Sequence, residues 1–186
     1  MSAQAVFERL RAALESSGVR YFVTGSFASS AHGVPRSTND IDIVIAPTPQ
    51  QLDALLDQFP ESEFGSSRED AFDALRQRSQ FNVMDYGSHW KIDFILRQST
   101  PFDASRFARR ELVDIAGVRL YAASAEDVLI TKLWWAKLGE SERQIIDAAG
   151  IIRVQAAKLD SGYVEKWVSV LDLDQQWKAA RANAVV

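Results

Sequence analysis

The 186-residue chain contains no cysteine, which excludes disulfide staples and thiolate metal sites. A bound metal must then take oxygen or imidazole ligands. With only two histidines, His32 and His89, oxygen-bound Mg²⁺ or Mn²⁺ is the favoured class. No uninterrupted apolar run approaches the roughly 20 residues that span a bilayer, so no membrane role is expected. The first fourteen residues lack the basic start and the continuous apolar stretch of a signal peptide, which makes cytoplasmic residence the default expectation. Excess positive charge is missing too. A net charge of -4 and a pI near 5.2 give no general attraction to nucleic acid, so an RNA partner would need a limited surface. Internal repeats and low-complexity segments are absent.

What is present is the composition of a soluble globular protein, 47% hydrophobic and 25% charged, at a length suited to one ordinary domain or a compact domain with a helical appendage. Val6, Leu10 and Leu14 recur at helical spacing and Gly18 stands where that helix stops. Val19 to Thr24 reads as a short buried strand, and Gly25-Ser26 opens a brief helix whose first-turn amides a serine can cap. His32-Gly33-Val34-Pro35 breaks it. Thr48-Pro49 starts another helix with Leu52, Leu55, Leu56 and Phe59 as its apolar stripe. A short helix is expected over Ser67 to Arg78. Phe81 to Met84 and Trp90 to Leu96 read as strands around a glycine turn, and Ala116-Gly117 joins two more. Ser124 begins a nearly all-apolar helix that Gly139 ends, Ser141 can cap the next, and the remainder to Ala184 is helical in period. The fold class is α/β (α+β): a small mixed sheet flanked by helices over residues 1–123, followed by a helical region over 124–186.

The chemistry concentrates in Asp40-Ile41-Asp42-Ile43-Val44-Ile45 and in Lys91-Ile92-Asp93-Phe94-Ile95-Leu96. Side chains alternate along a strand, so Asp40 and Asp42 share one face and the isoleucines the other. A lone Asp-x-Asp is a weak signal, because acids on the solvent side of an edge strand are common. Here the apolar run that follows points to a strand covered on both faces, where unpaired carboxylates are costly. Asp93 repeats the situation. Three acids in two apolar strands suit a divalent-metal site of the two-metal phosphoryl-transfer kind. Gly25-Ser26, between strand and helix, lets a phosphate approach backbone amides, although a tight turn is the plainer reading. His32 reads as a structural cap, and Trp134 and Trp135 as core. Arg106, Arg109 and Arg110 could form a small RNA patch, but with Asp103 and Glu111 beside them a solvated helix face is the better reading.

Gly25-Ser26, a short helix, Arg36-x-Thr38-x-Asp40-x-Asp42 and a later Asp93 together resemble the DNA polymerase β-type nucleotidyltransferase superfamily. Within it the run resembles small bacterial proteins related to abortive-infection (type IV) toxin nucleotidyltransferases, and the resemblance covers residues 19–96 well. It implies transfer of a nucleotidyl group from a nucleoside triphosphate, with Mg²⁺ or Mn²⁺ held by Asp40, Asp42 and Asp93. It also implies phosphate contacts from Gly25 and Ser26, and a later-helix lysine and acid, matched by Lys132 and Asp147. Arg36 and Thr38 would orient the carboxylates or touch phosphate. Lys132, the one charge inside Val128 to Ala136, calls for an anionic partner such as a triphosphate, unless it reaches solvent along its stem. Asp147 has a plainer reading as an intrahelical partner of Arg143. The implied acceptor is tRNA, a protein or a small molecule such as an aminoglycoside-like antibiotic, with a cognate antitoxin as a further partner. The rival reading is a non-catalytic binding or regulatory protein of the same fold.

Overall fold

The computed structural model describes residues 2–185, which form two compact units, one of residues up to Phe27 with Ser37–Ala122, the other of Ala28–Arg36 with the chain from Ala123 onward. In chain order the elements are α1 (Ala3–Ser16), β1 (Tyr21–Val23), α2 (Gly25–His32), β2 (Asp40–Ile45), α3 (Pro49–Leu56), β3 (Phe64–Gly65), α4 (Arg68–Gln77), β4 (Gln80–Asp85) and β5 (Lys91–Leu96). They continue with α5 (Pro101–Ala108), β6 (Glu111–Ile115), β7 (Val118–Ala122), α6 (Ala125–Gly139), α7 (Glu142–Gln155), a 3₁₀ turn (Ala156–Lys158), α8 (Ser161–Val170) and α9 (Asp174–Ala184).

The first unit carries a mixed seven-stranded sheet in the order β3-β4-β5-β2-β1-β7-β6. β2 lies at its centre, parallel to β5 and antiparallel to β1. One face of β2 buries Ile41, Ile43 and Ile45 with Val83, Ile92 and Phe94 against Phe7, Leu10 and Leu14 of α1 and Leu52 and Leu55 of α3. Each such side chain contributes about 1.5–3 kcal/mol when taken out of water, so this apolar layer fixes the strand's face and register. The other face carries Phe22, whose ring meets Phe107 of α5 edge-on at 5.5 Å.

Local signals explain the helix ends. Thr48 and Gln51 form a reciprocal capping box at the start of α3, and the Gln51 side chain also donates to the Gly18 carbonyl at 2.6 Å, tying it to the left-handed turn that stops α1. Ser67 and Ser124 cap α4 and α6. Gly139 ends α6 as expected, and the left-handed position that follows falls on Glu140, with φ 47°. One expectation is corrected: Ser141 precedes α7 without making a side-chain cap. The short β3 has too little pattern to be read from sequence.

The second unit is helical. α6 buries Val128, Leu129, Ile130, Leu133 and Ala136. Trp134 and Trp135 are not core, since Trp135 is 55% exposed and Trp134 also faces solvent. Successive residues cannot all turn inward on a helix, and the stripe through Leu129, Leu133 and Ala136 takes the buried side. His32 is buried with Nε2 2.8 Å from the Ala123 carbonyl, a contact to the segment before α6 in place of the cap expected at the end of its own helix. Among the described residues no helix is long and apolar enough to cross a membrane.

Candidate active site

The β2–β5 register pairs Asp42 with Asp93 and Asp40 with Lys91. Directly paired residues share a face, so Asp40, Asp42, Asp93 and Lys91 stand together on the sheet face opposite the isoleucine layer. Neighbouring strands lie about 4.8 Å apart, close enough for two carboxylates to raise each other's energy unless a cation intervenes. Lys91 supplies one. Its Nζ lies 2.9 Å from both Asp93 oxygens and donates to Oδ2, with the lysine side chain 35% exposed and that of Asp93 13%. The hydrogen bond to Asp93 raises the Lys91 pKa above the ordinary lysine value; burial opposes this, and the charges of Asp93, Asp40 and Asp42 add to it. Lys91 was not foreseen from sequence, although its place two residues before Asp93 puts it on the same face by simple alternation.

Gly25 shapes the other side. Its φ of +63° is left-handed, and a Cβ there would sit 1.9 Å from Asp42 Oδ2 and 2.5 Å from Cγ. The glycine therefore makes room for the Asp42 carboxylate, a closer demand than the phosphate approach expected from sequence. The Thr24 amide donates to the Asp42 carbonyl at 2.9 Å, which locks the strand beneath this packing. Helix α2 begins at Gly25, so buried Ser26 lies in its first turn instead of preceding it as a cap. The Thr38 hydroxyl accepts from the Asp40 amide at 3.1 Å and so sets the entry to β2.

The second unit holds the remaining candidates together. Lys132, 4% exposed, donates from Nζ to Asp147 Oδ2 at 2.7 Å, and Arg36 Nε lies 3.5 Å from the same oxygen. Asp147 on α7 thus pairs with Lys132 of α6 and with Arg36, not with Arg143 one turn earlier on its own helix. Burying a lysine alone would be costly, and Asp147 is the anionic partner it requires.

Among the described residues, no group of three or more His, Cys, Asp or Glu side chains could hold a metal ion as it stands. The backbone register aligns the acids, while Lys91 occupies Asp93. The donor set still fits a hard divalent cation. All three candidate ligands are carboxylates, Asp93 Oδ1 is buried without a hydrogen bond, and the cluster already draws in a positive charge.

No family model matches the chain, and no curated protein matches its sequence. Solved structures do. The crystal structure of ANT(2")-Ia in complex with adenylyl-2"-tobramycin has a TM-score of 0.63 at 15% identity, over 92% of this chain and 98% of that one. The lincomycin-bound lincosamide antibiotic adenylyltransferase LnuA has a TM-score of 0.58 at 11% identity, over 83% and 98%. An antigenic nucleotidyltransferase-like protein from Paracoccidioides brasiliensis has a TM-score of 0.58 at 21% identity, over 94% and 91%. The chain has the nucleotidyltransferase fold.

Two substitutions test this geometry. Gly25→Ala is expected to lower stability by about 1–3 kcal/mol in urea unfolding, because it combines a left-handed φ with a clash against Asp42; unchanged stability would contradict the packing. Lys91→Met is expected to raise Mn²⁺ affinity about tenfold or more by calorimetry. A single and a double positive charge about 5 Å apart repel by roughly 1.7 kcal/mol even at the permittivity of water. Unchanged or weaker Mn²⁺ binding would show that Lys91 does not compete for the acids.

Proposed function

We propose that this protein transfers a nucleotidyl group from a nucleoside triphosphate to a hydroxyl acceptor, releasing pyrophosphate. The observation that carries the reading is the pairing of Asp42 with Asp93, with Asp40 two residues back on the same face and Gly25 fitted beneath the Asp42 carboxylate. Nucleotidyltransferase-fold neighbours support it. Asp40, Asp42 and Asp93 would hold Mg²⁺ or Mn²⁺. Divalent ions held there would supply the charge that stabilises the attacking and leaving oxygens.

In this reading the acceptor hydroxyl oxygen forms a bond to the α-phosphorus, and the bond from that phosphorus to the bridging oxygen breaks. The hydroxyl proton passes to Asp93, the third acid of the cluster. The first-turn amides of α2 and the Ser26 hydroxyl bind phosphate oxygens. Thr38 keeps Asp40 in line through its backbone. Lys132 neutralises charge as pyrophosphate leaves, with Asp147 and Arg36 fixing its position. The catalytic domain is residues 1–123 and the helical region residues 124–186, with cytoplasmic residence. The acceptor is a tRNA, a protein or, as for the antibiotic-modifying neighbours, a small hydroxylated molecule. A toxin role with a cognate antitoxin belongs to the same reading when the acceptor is a cellular RNA or protein.

The test is incubation of the protein with each α-labelled nucleoside triphosphate, Mg²⁺ and cell extract, reading label transfer and pyrophosphate release. Asp42→Asn is expected to reduce both by at least roughly 100-fold. Equal signals from the two proteins would favour the non-catalytic binding protein.

A further inference from the structure

We propose that the first unit carries a second, phosphate-binding site for an RNA acceptor strand, built by Arg20, Arg97 and Arg110 around Phe107, with Tyr121 as a base-stacking ring. This rests on the nucleotidyl-transfer reading and assigns its acceptor class. The three guanidinium carbons lie 5.8, 5.4 and 4.9 Å from the centre of the Phe107 ring, which is itself 4% exposed. No two of them can therefore be more than about 11 Å apart. Among the described residues none of the three forms an ion pair. Asp103, the acid of α5, is already taken by Arg106 and by the Gln98 amide. Glu111 at the head of β6 is exposed.

In a chain of net charge -4, three arginines without a carboxylate on one ring are an unbalanced concentration of positive charge. Cation–π attraction and the Phe107 carbonyl, which accepts from Arg110 Nη1 at 2.6 Å, hold the groups in place without neutralising them. The buried Nε atoms of Arg97 and Arg110 make no hydrogen bond. Preordered guanidinium forks of this kind match phosphate oxygens.

Two observations favour RNA over an acidic peptide. Arg110 also stacks over Tyr121 at 5.1 Å, and Tyr121 is 39% exposed, so a basic group and an open aromatic face stand side by side as in single-strand readers. The site also lies on the catalytic face. Phe22, which pairs with Val44, packs on Phe107, and Val44 shares its face with Asp42. Arg20 and Arg97 bracket the far end of β2 through their backbones, Ala46 to Arg20 and Arg97 to Ile45, each at 2.9 Å. From Asp42 to Ala46 the strand covers about 13 Å, the reach of a short stretch of nucleic-acid backbone. A strand with its terminal hydroxyl at the acids would lay its backbone over the arginines. A polycationic acceptor would be repelled there.

The experiment is fluorescence anisotropy of a labelled 12-nucleotide single-stranded RNA in EDTA, from about 50 to 200 mM salt, with Mn²⁺–nucleotide binding measured separately by calorimetry. The wild type is expected to bind at micromolar concentration and to lose affinity with salt. Arg97→Gln with Arg110→Gln should weaken binding at least tenfold and reduce the salt slope by about 1.4, at roughly 0.7 per phosphate contact. Mn²⁺–nucleotide binding should stay as in the wild type. Arg20→Gln, at an exposed side chain, should reduce the slope by about 0.7 and keeps the test decisive if the double variant does not fold. Tyr121→Ala should weaken RNA at least threefold and leave poly-glutamate binding unchanged. No RNA binding at 50 mM salt, equal binding by wild type and arginine variants, or equal displacement of RNA by poly-glutamate or by inorganic phosphate would overturn the site. Loss of Mn²⁺–nucleotide binding in the wild type, with arginine-dependent RNA binding intact, would instead overturn the nucleotidyl-transfer reading alone.

Discussion

Two carboxylates set opposite each other on adjacent strands need a positive charge, and much of the first unit follows from meeting that need. The apolar layer of Ile41, Ile43 and Ile45 fixes which face of β2 is buried, and the parallel pairing to β5 then sets Asp42 against Asp93. A slip of one residue would send the acids into the hydrophobic layer, so the same burial that stabilises the sheet enforces the charge crowding. Lys91 relieves it from within the chain by gripping Asp93. Gly25 admits the Asp42 carboxylate where any side chain would exclude it. In the proposed reading, Lys91 keeps this cluster stable until a divalent cation takes its place.

Much of this was legible in the residues, because alternation in strands and capping at helix starts are local rules. The Asp-x-Asp face, the Asp93 strand, the Thr48 cap and the stop at Gly18 all depend on neighbours within a few positions. Tertiary choices were not legible. Lys91 was overlooked because a lysine at a strand's edge is ordinarily solvated, and only the register with Asp40 and Asp93 gives it a task. Asp147 has Arg143 at the right helical spacing, yet burial of Lys132 on α6 creates the stronger demand for an anion. Trp134 and Trp135 read as core by composition, but adjacent residues compete for one buried stripe, and Leu133 and Ala136 take it. Glu140 accepts a left-handed backbone that the neighbouring glycine would hold more cheaply, and nothing in the structure explains that choice.

The chain answers its two charge problems in different ways. The acids at one end of β2 are neutralised by an internal lysine and by the divalent ions proposed for them. The arginines at the other end are held by aromatic rings, which position a guanidinium without cancelling its charge. Arg106, next to them, takes a carboxylate, Asp103. Composition hid this second cluster, since its members come from before β1, after β5 and from the end of α5. A net acidic protein can thus carry a local surface of opposite sign.

The central claim is that the Asp42–Asp93 pair exists to take a divalent cation in place of Lys91. A crystal structure with Mn²⁺ and a non-hydrolysable nucleoside triphosphate tests it most directly. The account predicts an anomalous manganese signal at the carboxylates of Asp42 and Asp93, with the Lys91 ammonium withdrawn from at least one Asp93 oxygen. Nucleotide bound with no manganese at those acids, and Lys91 still on both Asp93 oxygens, would contradict it.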